Sequence, residues 1–390
     1  MGAARIPDLD VLVVGAGLAG LRVATGLARR GHDVLLAEAR PSLSASIRTT
    51  GIFVHRTLQD YTFPDGALGP PIRRMVLYPP GRRRPVELVS AREEFRVGRM
   101  GLIYEAAGEQ ALRAGVDLRL STRYAGRAGG VCRLEGPRGD LDVRARYVVG
   151  ADGARSRVAR DLGLDRNRQL LVGAEEVYPI APRPGSTPAF HCVLDPRLAP
   201  GYLAWVVEDG EHVHLGTAGY PTRFEGGLRR ALEGLRADPP GLDGVRRTGP
   251  VEQRAGPIPV GGLLRRISGP DGLLVGDAAG AVSPLTAGGL DPCLRLSDRA
   301  VDSLDDALRG GGRGSAGGRG SLHGYDGRAL RRRLTGRLGL RSVLAHLHPP
   351  WVYEAGFELL RTPAGRAAAR AVLLHDQSFP LESRPRGAAL

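Results

Sequence analysis

A short apolar run, Asp10-Val11-Leu12-Val13-Val14, breaks into Gly15-Ala16-Gly17-Leu18-Ala19-Gly20 and then into Leu21, Val23, Ala24, Leu27 and Ala28 at helical spacing. No other feature limits the fold so tightly. The Val-rich run suits a strand buried on both faces of a parallel sheet. Gly15 permits a tight turn, Gly17 lets backbone approach a pyrophosphate, and Gly20 lets the helix pack closely on the strand. The helix N-terminus offers unpaired N–H groups and a positive dipole end to phosphates. Gly31-His32-Asp33 ends the helix, and Val34-Leu35-Leu36-Ala37 reads as a second strand. Glu38 closes that strand 18 residues after Gly20, where an acid accepts a ribose 2′-hydroxyl and disfavours a 2′-phosphate. Gly15, Ala16, Gly17, Ala19, Gly20, Glu38 and Ala39 are therefore the candidate contacts at the adenine end of a dinucleotide. The fingerprint occurs once.

Two later segments repeat part of this grammar. Arg144-Ala145-Arg146-Tyr147-Val148-Val149-Gly150 is an apolar strand running into Ala151-Asp152-Gly153-Ala154-Arg155-Ser156, and Leu273-Leu274-Val275 runs into Gly276-Asp277-Ala278-Ala279-Gly280. An Asp at the carboxyl end of a strand can accept hydrogen bonds from sugar-like hydroxyls, with neighbouring Gly and Ala leaving room for a ligand; it can equally cap the following helix. Three such signatures spread over one chain fit one long ligand.

The trio resembles the flavoprotein superfamily that unites para-hydroxybenzoate hydroxylase-type monooxygenases with geranylgeranyl reductases, over residues 8 to about 345. The reductase branch is the nearer likeness. Ser283-Pro284-Leu285-Thr286-Ala287-Gly288-Gly289-Leu290 is similar to its flavin-side segment, and Gly201-Tyr202-Leu203-Ala204-Trp205-Val206 with His212-Val213-His214-Leu215-Gly216 to its substrate-domain hairpin. The likeness implies FAD as bound cofactor, contacted also by Arg99, Asp152, Gly153, Gly276, Asp277, Gly288, Gly289 and Leu290. It implies NADPH (or NADH) as a transient hydride donor. Two departures stand out: residues 44–51 read Ser-Ala-Ser-Ile-Arg-Thr-Thr-Gly without the branch's Cys-Gly-Gly, and Val207-Glu208-Asp209 replaces an aromatic-Pro-Lys after the hairpin Trp.

The implied fold is α/β: a Rossmann-like FAD-binding domain with a β-sheet substrate domain and a C-terminal helical region. The expected boundaries are 1–75, 96–165 and 265–310 for the discontinuous FAD domain. Residues 76–95 and 166–264 are expected to form an antiparallel-sheet substrate domain, 311–323 a flexible Gly-rich loop, and 324–390 the helical region. Phe190, Tyr202 and Trp205 are candidates for an apolar pocket over the flavin, or for ordinary core. Leu330, Leu334, Leu338 and Val343, with intervening Arg, suggest a basic amphipathic helix that packs on its own domain or rests on an anionic membrane.

All 55 basic residues are Arg, against 41 acids, giving a formal charge of +14. The Arg are scattered among acids and no platform of stacking aromatics accompanies them, so nucleic acid is not an expected partner. Cys132, Cys192 and Cys293 have neither disulfide nor zinc spacing, and no metal site is expected. No apolar stretch reaches the roughly 20 residues of a membrane span, and no signal peptide precedes the first strand. A cytoplasmic protein is expected, with membrane-peripheral contact left open. The implied activity is reduction of C=C bonds in an isoprenoid or other apolar small-molecule or lipid substrate. His55, Tyr202 and Cys293 are the candidate proton donors. The alternatives are an FAD-dependent monooxygenase acting on a small or lipidic substrate, a lycopene-cyclase-like isomerase, and a flavin-binding module without turnover.

Overall fold

The computed structural model describes residues 6–183, 185, 187–310, 322, 324–346, 349–374 and 388–389. The Gly-rich stretch expected as a loop lies almost wholly outside the described residues.

Strand Asp8–Val14 forms as the valine pattern predicts, with Val11 to Val14 nearly inaccessible. It lies at the centre of an eight-stranded sheet in the order Ser268–Gly269, Gly272–Leu274, Leu141–Gly150, Asp8–Val14, Val34–Ala37, Asp117–Arg119, and Val131–Glu135 adds Arg123–Ala128 through the long strand Leu141–Gly150. The four central pairings are parallel. Helix Leu18–Ala28 packs between helix Met100–Arg113 and helix Leu290–Gly310. Gly26 sets the second approach: a Cβ there would stand 2.7 Å from a methyl of Val301. Arg22 and Arg30 then reach across to Asp298 and Asp302.

A seven-stranded sheet forms the second layer, in the order Glu252–Pro259, Leu170–Pro179, His212–Gly219, Ala204–Glu208, Ala189–Val193, Arg74–Tyr78, Val86–Val89. It departs from the antiparallel expectation at one place, where Ala189–Val193 runs parallel to Arg74–Tyr78. Those strands are separated by residues 79–188, which include several strands of the first sheet, so no hairpin dictates their direction. The sheet also begins at Arg74, two residues before the expected 76. The hairpin of Ala204–Glu208 and His212–Gly219 is as read from sequence.

The two faces of this sheet differ. Val193, Ala204, Val206, Val213 and Leu215 meet helix Gly227–Ala237 through Leu232 and Leu235. On the other face, Phe190, Cys192 and Val207 meet Ile52, Val54, Phe95 and Val97. The C-terminal helices Arg328–His346, Pro350–Leu360 and Pro363–Leu373 bind both layers. Leu330 and Leu334 join the core of the first, while Phe357 and Ala369 join that of the second. The region is not wholly helical, because Ala388–Ala389 pairs parallel with Tyr61–Thr62. Val343, expected on the packed stripe, is exposed, since residues 330, 334, 337, 341 and 345 follow the inward face and 343 does not.

Candidate functional site

Four parallel strands end at one level. Gly15 N–H donates to Ala37 O, Ala151 N–H to Val14 O and Val275 N–H to Gly150 O, so the three sequence signatures meet at the carboxyl edge of the sheet. Ligands of open α/β sheets bind at such an edge, where the strand order reverses. The glycines show why. Gly15 has φ +98°, and a Cβ there would stand 2.5 Å from Ala151 O; one on Gly20 would stand 1.8 Å from Gly15 O. Nothing lies within 4 Å of the corresponding point at Gly17, which leaves that backbone open to a phosphate. Gly276, at φ +55°, rests against Ala19 and the Cys293 sulfur.

The acids divide by what already occupies them. Glu38 accepts from Ala16 N–H at 2.7 Å and from the Arg40 amide and guanidinium. Burial raises its pKa, but the Arg40 bonds and charge outweigh this and leave it below the ordinary value. Asp152 is committed to a helix start: Oδ1 accepts from Ser156 Oγ at 2.6 Å, and Oδ2 from Arg157 and Val158 N–H at 2.7 and 3.1 Å. Asp277 differs. Burial pushes its pKa up to about 6, and among the described residues no donor to its carboxylate is found. That acceptor, beside Gly289 at the start of helix Leu290–Gly310, suits a polyol hydroxyl. The open backbone at Gly17, the uncommitted Asp277 and the helix start after Gly288 and Gly289 fit an extended dinucleotide with a ribityl chain.

The remaining candidates are more scattered. Arg99 precedes helix Met100–Arg113, and its Nη2 pairs with Glu211 at 2.7 Å, at the hairpin turn of the second sheet. Tyr202 OH donates to Thr286 O at 2.6 Å, tying the second layer to residues 283–290; burial pushes its pKa well up. Trp205 donates Nε1–H to Glu175 at 3.0 Å, its ring lying where a side chain on Gly216 would stand. Phe190 packs edge-on against Phe95 at 5.9 Å. Phe190 and Trp205 thus share the face turned to the first layer. Cys293 is buried, and burial raises its thiol pKa far above the usual value. His55 begins the short helix His55–Asp60, with Nδ1 buried and unbonded.

The same sheet face carries a network that motif reading missed. Glu175 accepts from Thr50 Oγ1 at 2.5 Å and lies 3.8 Å from His214 Nδ1; His214 Nε2 contacts Asp209 at 3.1 Å, and Arg254 bonds Thr49 O. Burial opposes protonation of His214, but the two carboxylates prevail and raise its pKa to about 9, while that of Asp209 falls to about 2. The only sequence trace of this network is charge at alternate strand positions facing inward.

Known proteins place this geometry. A family model described as FAD dependent oxidoreductase matches residues 10–78, and one described as FAD binding domain matches residues 106–194. Digeranylgeranylglycerophospholipid reductase 1 of Methanopyrus kandleri is 34% identical, over 77% of this chain and 82% of its own. The chain belongs to the geranylgeranyl reductase family of FAD-dependent oxidoreductases. The corresponding reductase of Methanosarcina acetivorans is 28% identical over 77% of this chain and 76% of its own. Among solved structures, a geranylgeranyl bacteriochlorophyll reductase-like protein of Thermoplasma acidophilum shares the fold, with TM-score 0.79 and 20% identity over 94% of this chain and 97% of that one. The chain is thus a reductase that uses FAD.

Proposed function

We propose that this reductase saturates C=C bonds in the isoprenoid chains of a lipid, with NADPH or NADH recharging the flavin. The supporting observation is the 34% identity with a named phospholipid reductase along most of both chains. When bound, FAD supplies hydride chemistry. Gly17 and the start of helix Leu18–Ala28 would hold the pyrophosphate, and Asp277 would accept the ribityl hydroxyls. The backbone at Gly288, Gly289 and Leu290 would hold the flavin end, in a segment that Tyr202 fixes through Thr286 O. Phe190 and Trp205 keep water from the substrate. Tyr202, held protonated by its raised pKa, is the best placed of the three acid candidates beside residues 283–290.

The outer face of helix Arg328–His346 suits contact with an anionic bilayer. Leu340 and Val343 are exposed beside Arg332 and Arg333, and Trp351 on the next helix is 70% exposed.

The test is kinetic. Dithionite-reduced protein under argon should regain its yellow absorbance when a geranylgeranyl lipid is added. Reoxidation by oxygen alone, with none by the lipid, would refute the reading.

A further inference from the structure

Helix Arg328–His346 turns basic side chains inward. Beyond Leu330 and Leu334 its inward positions are Arg337, Arg341 and Ala345, and Arg341 is 2% exposed. Arg337 donates from Nη1 to Ser283 Oγ at 3.0 Å, while its Nε is buried without a partner. Nε and Nη2 of Arg341 are likewise buried and unbonded. The Arg341 guanidinium carbon lies 5.5 Å from the Tyr202 ring centre and 5.2 Å from that of Tyr220. Arg223 stacks on Tyr220 at 4.7 Å and donates to Ala345 O. Among the described residues none of these three guanidinium groups has a carboxylate within ion-pair distance. Asp195, whose charge also acts on the neighbouring Tyr353, is held by Arg197 at 2.7 Å.

Desolvating a charge without a counter-ion is costly, and cation–π contact returns only part of that cost. Here the cost falls beside Ser283, Thr286 and Tyr202, the segment assigned to the flavin side. We propose that Arg337 and Arg341, assisted by Arg223, anchor the phosphate-type anionic head group of the substrate, whose apolar chain runs past Tyr202 toward the flavin. This rests on the lipid-reductase reading and adds the chemistry that orients the lipid. Guanidinium groups match phosphate oxygens with paired N–H bonds, and rotation of the Arg341 side chain exchanges a ring face for an oxyanion.

The experiment reads binding first and reduction of the bound lipid second. FAD-loaded protein is titrated calorimetrically with geranylgeranyl diphosphate, geranylgeraniol and inorganic pyrophosphate, and its melting temperature is followed. The diphosphate lipid should bind about 10- to 100-fold tighter than the alcohol, the range for hydrogen bonds to a charged group. Arg341→Met should close that gap while keeping or raising the ligand-free melting temperature, because it removes a buried, unbalanced charge; a purely structural arginine would lower it. Arg337→Gln should narrow the same gap and serves if the first variant does not fold. Equal binding of lipid diphosphate and alcohol, an undiminished gap in both variants, or pyrophosphate binding as tightly as the lipid would overturn the proposal. If the diphosphate lipid binds as described but none of its double bonds is reduced, the site stands and the reductase reading falls. If the alcohol is reduced and the diphosphate has no advantage, the reverse holds.

Discussion

Gly17 and Gly20 stand three positions apart in one turn, yet a methyl group would meet different things at each. On Gly20 it would collide with Gly15 O, whereas on Gly17, at φ −73°, it would meet nothing. Gly20→Ala should therefore destabilise the fold by about 1–3 kcal/mol or more, as overpacking does. Gly17→Ala should change stability by less than about 0.5 kcal/mol, as surface substitutions do, and lose flavin. Melting curves and the flavin-to-protein absorbance ratio separate the two; full flavin in Gly17→Ala would contradict the placement of the pyrophosphate. His214 carries a second expectation. Its pKa is raised to about 9 in the fold from 6.5, so the folded state holds the extra proton between those values. That stabilisation is complete below pH 6.5 and disappears as pH rises through 9. The melting temperature should fall across that window, and the slope should vanish in His214→Gln. Removing one partner of this buried set should cost about 3–5 kcal/mol. A flat profile in the unaltered protein would show that His214 is neutral. The first-turn glycines were readable in the sequence because their cause is local. The Glu175–His214 pair was not, since its members lie 39 positions apart and match no motif.

Helix Arg328–His346 shows how periodicity alone can mislead. Its leucines suggested an apolar stripe with arginines outward, but Arg341 is buried and Val343 exposed. Aromatic rings of the second layer accept the inward guanidinium, a tertiary fact that spacing does not carry. The same helix presents Leu340 and Val343 outward, and Trp351 stands exposed just beyond it. Trp351→Ala and Val343→Glu should each weaken sedimentation with anionic phospholipid vesicles several-fold, at about 1.4 kcal/mol per tenfold, without altering the melting temperature. Unchanged sedimentation would leave this face as ordinary solvated surface. In the second sheet, the hairpin was legible from its turn residues. The parallel pairing of Ala189–Val193 with Arg74–Tyr78 was not, because strands distant in sequence leave no turn signal.

Three segments, each more than 100 residues from the next, meet at one sheet edge, as one extended ligand requires. That requirement made the flavin half legible at the outset: a dinucleotide fold imposes strict sterics on few positions. The second sheet is shaped by many weakly constrained side chains, so the surroundings of Phe190 and Trp205, packed against Phe95 and bonded to Glu175, were not legible. The two layers are tied by Tyr202 to Thr286, Thr50 to Glu175 and Arg99 to Glu211. The central claim is that this arrangement delivers hydride to an isoprenoid double bond. Mass spectrometry of lipid recovered from an anaerobic reaction of the reduced protein with a geranylgeranyl phospholipid tests it most directly. The products should have gained two hydrogens at each reduced double bond; unchanged lipid under argon, with an oxygen atom added once air is admitted, would contradict hydride delivery.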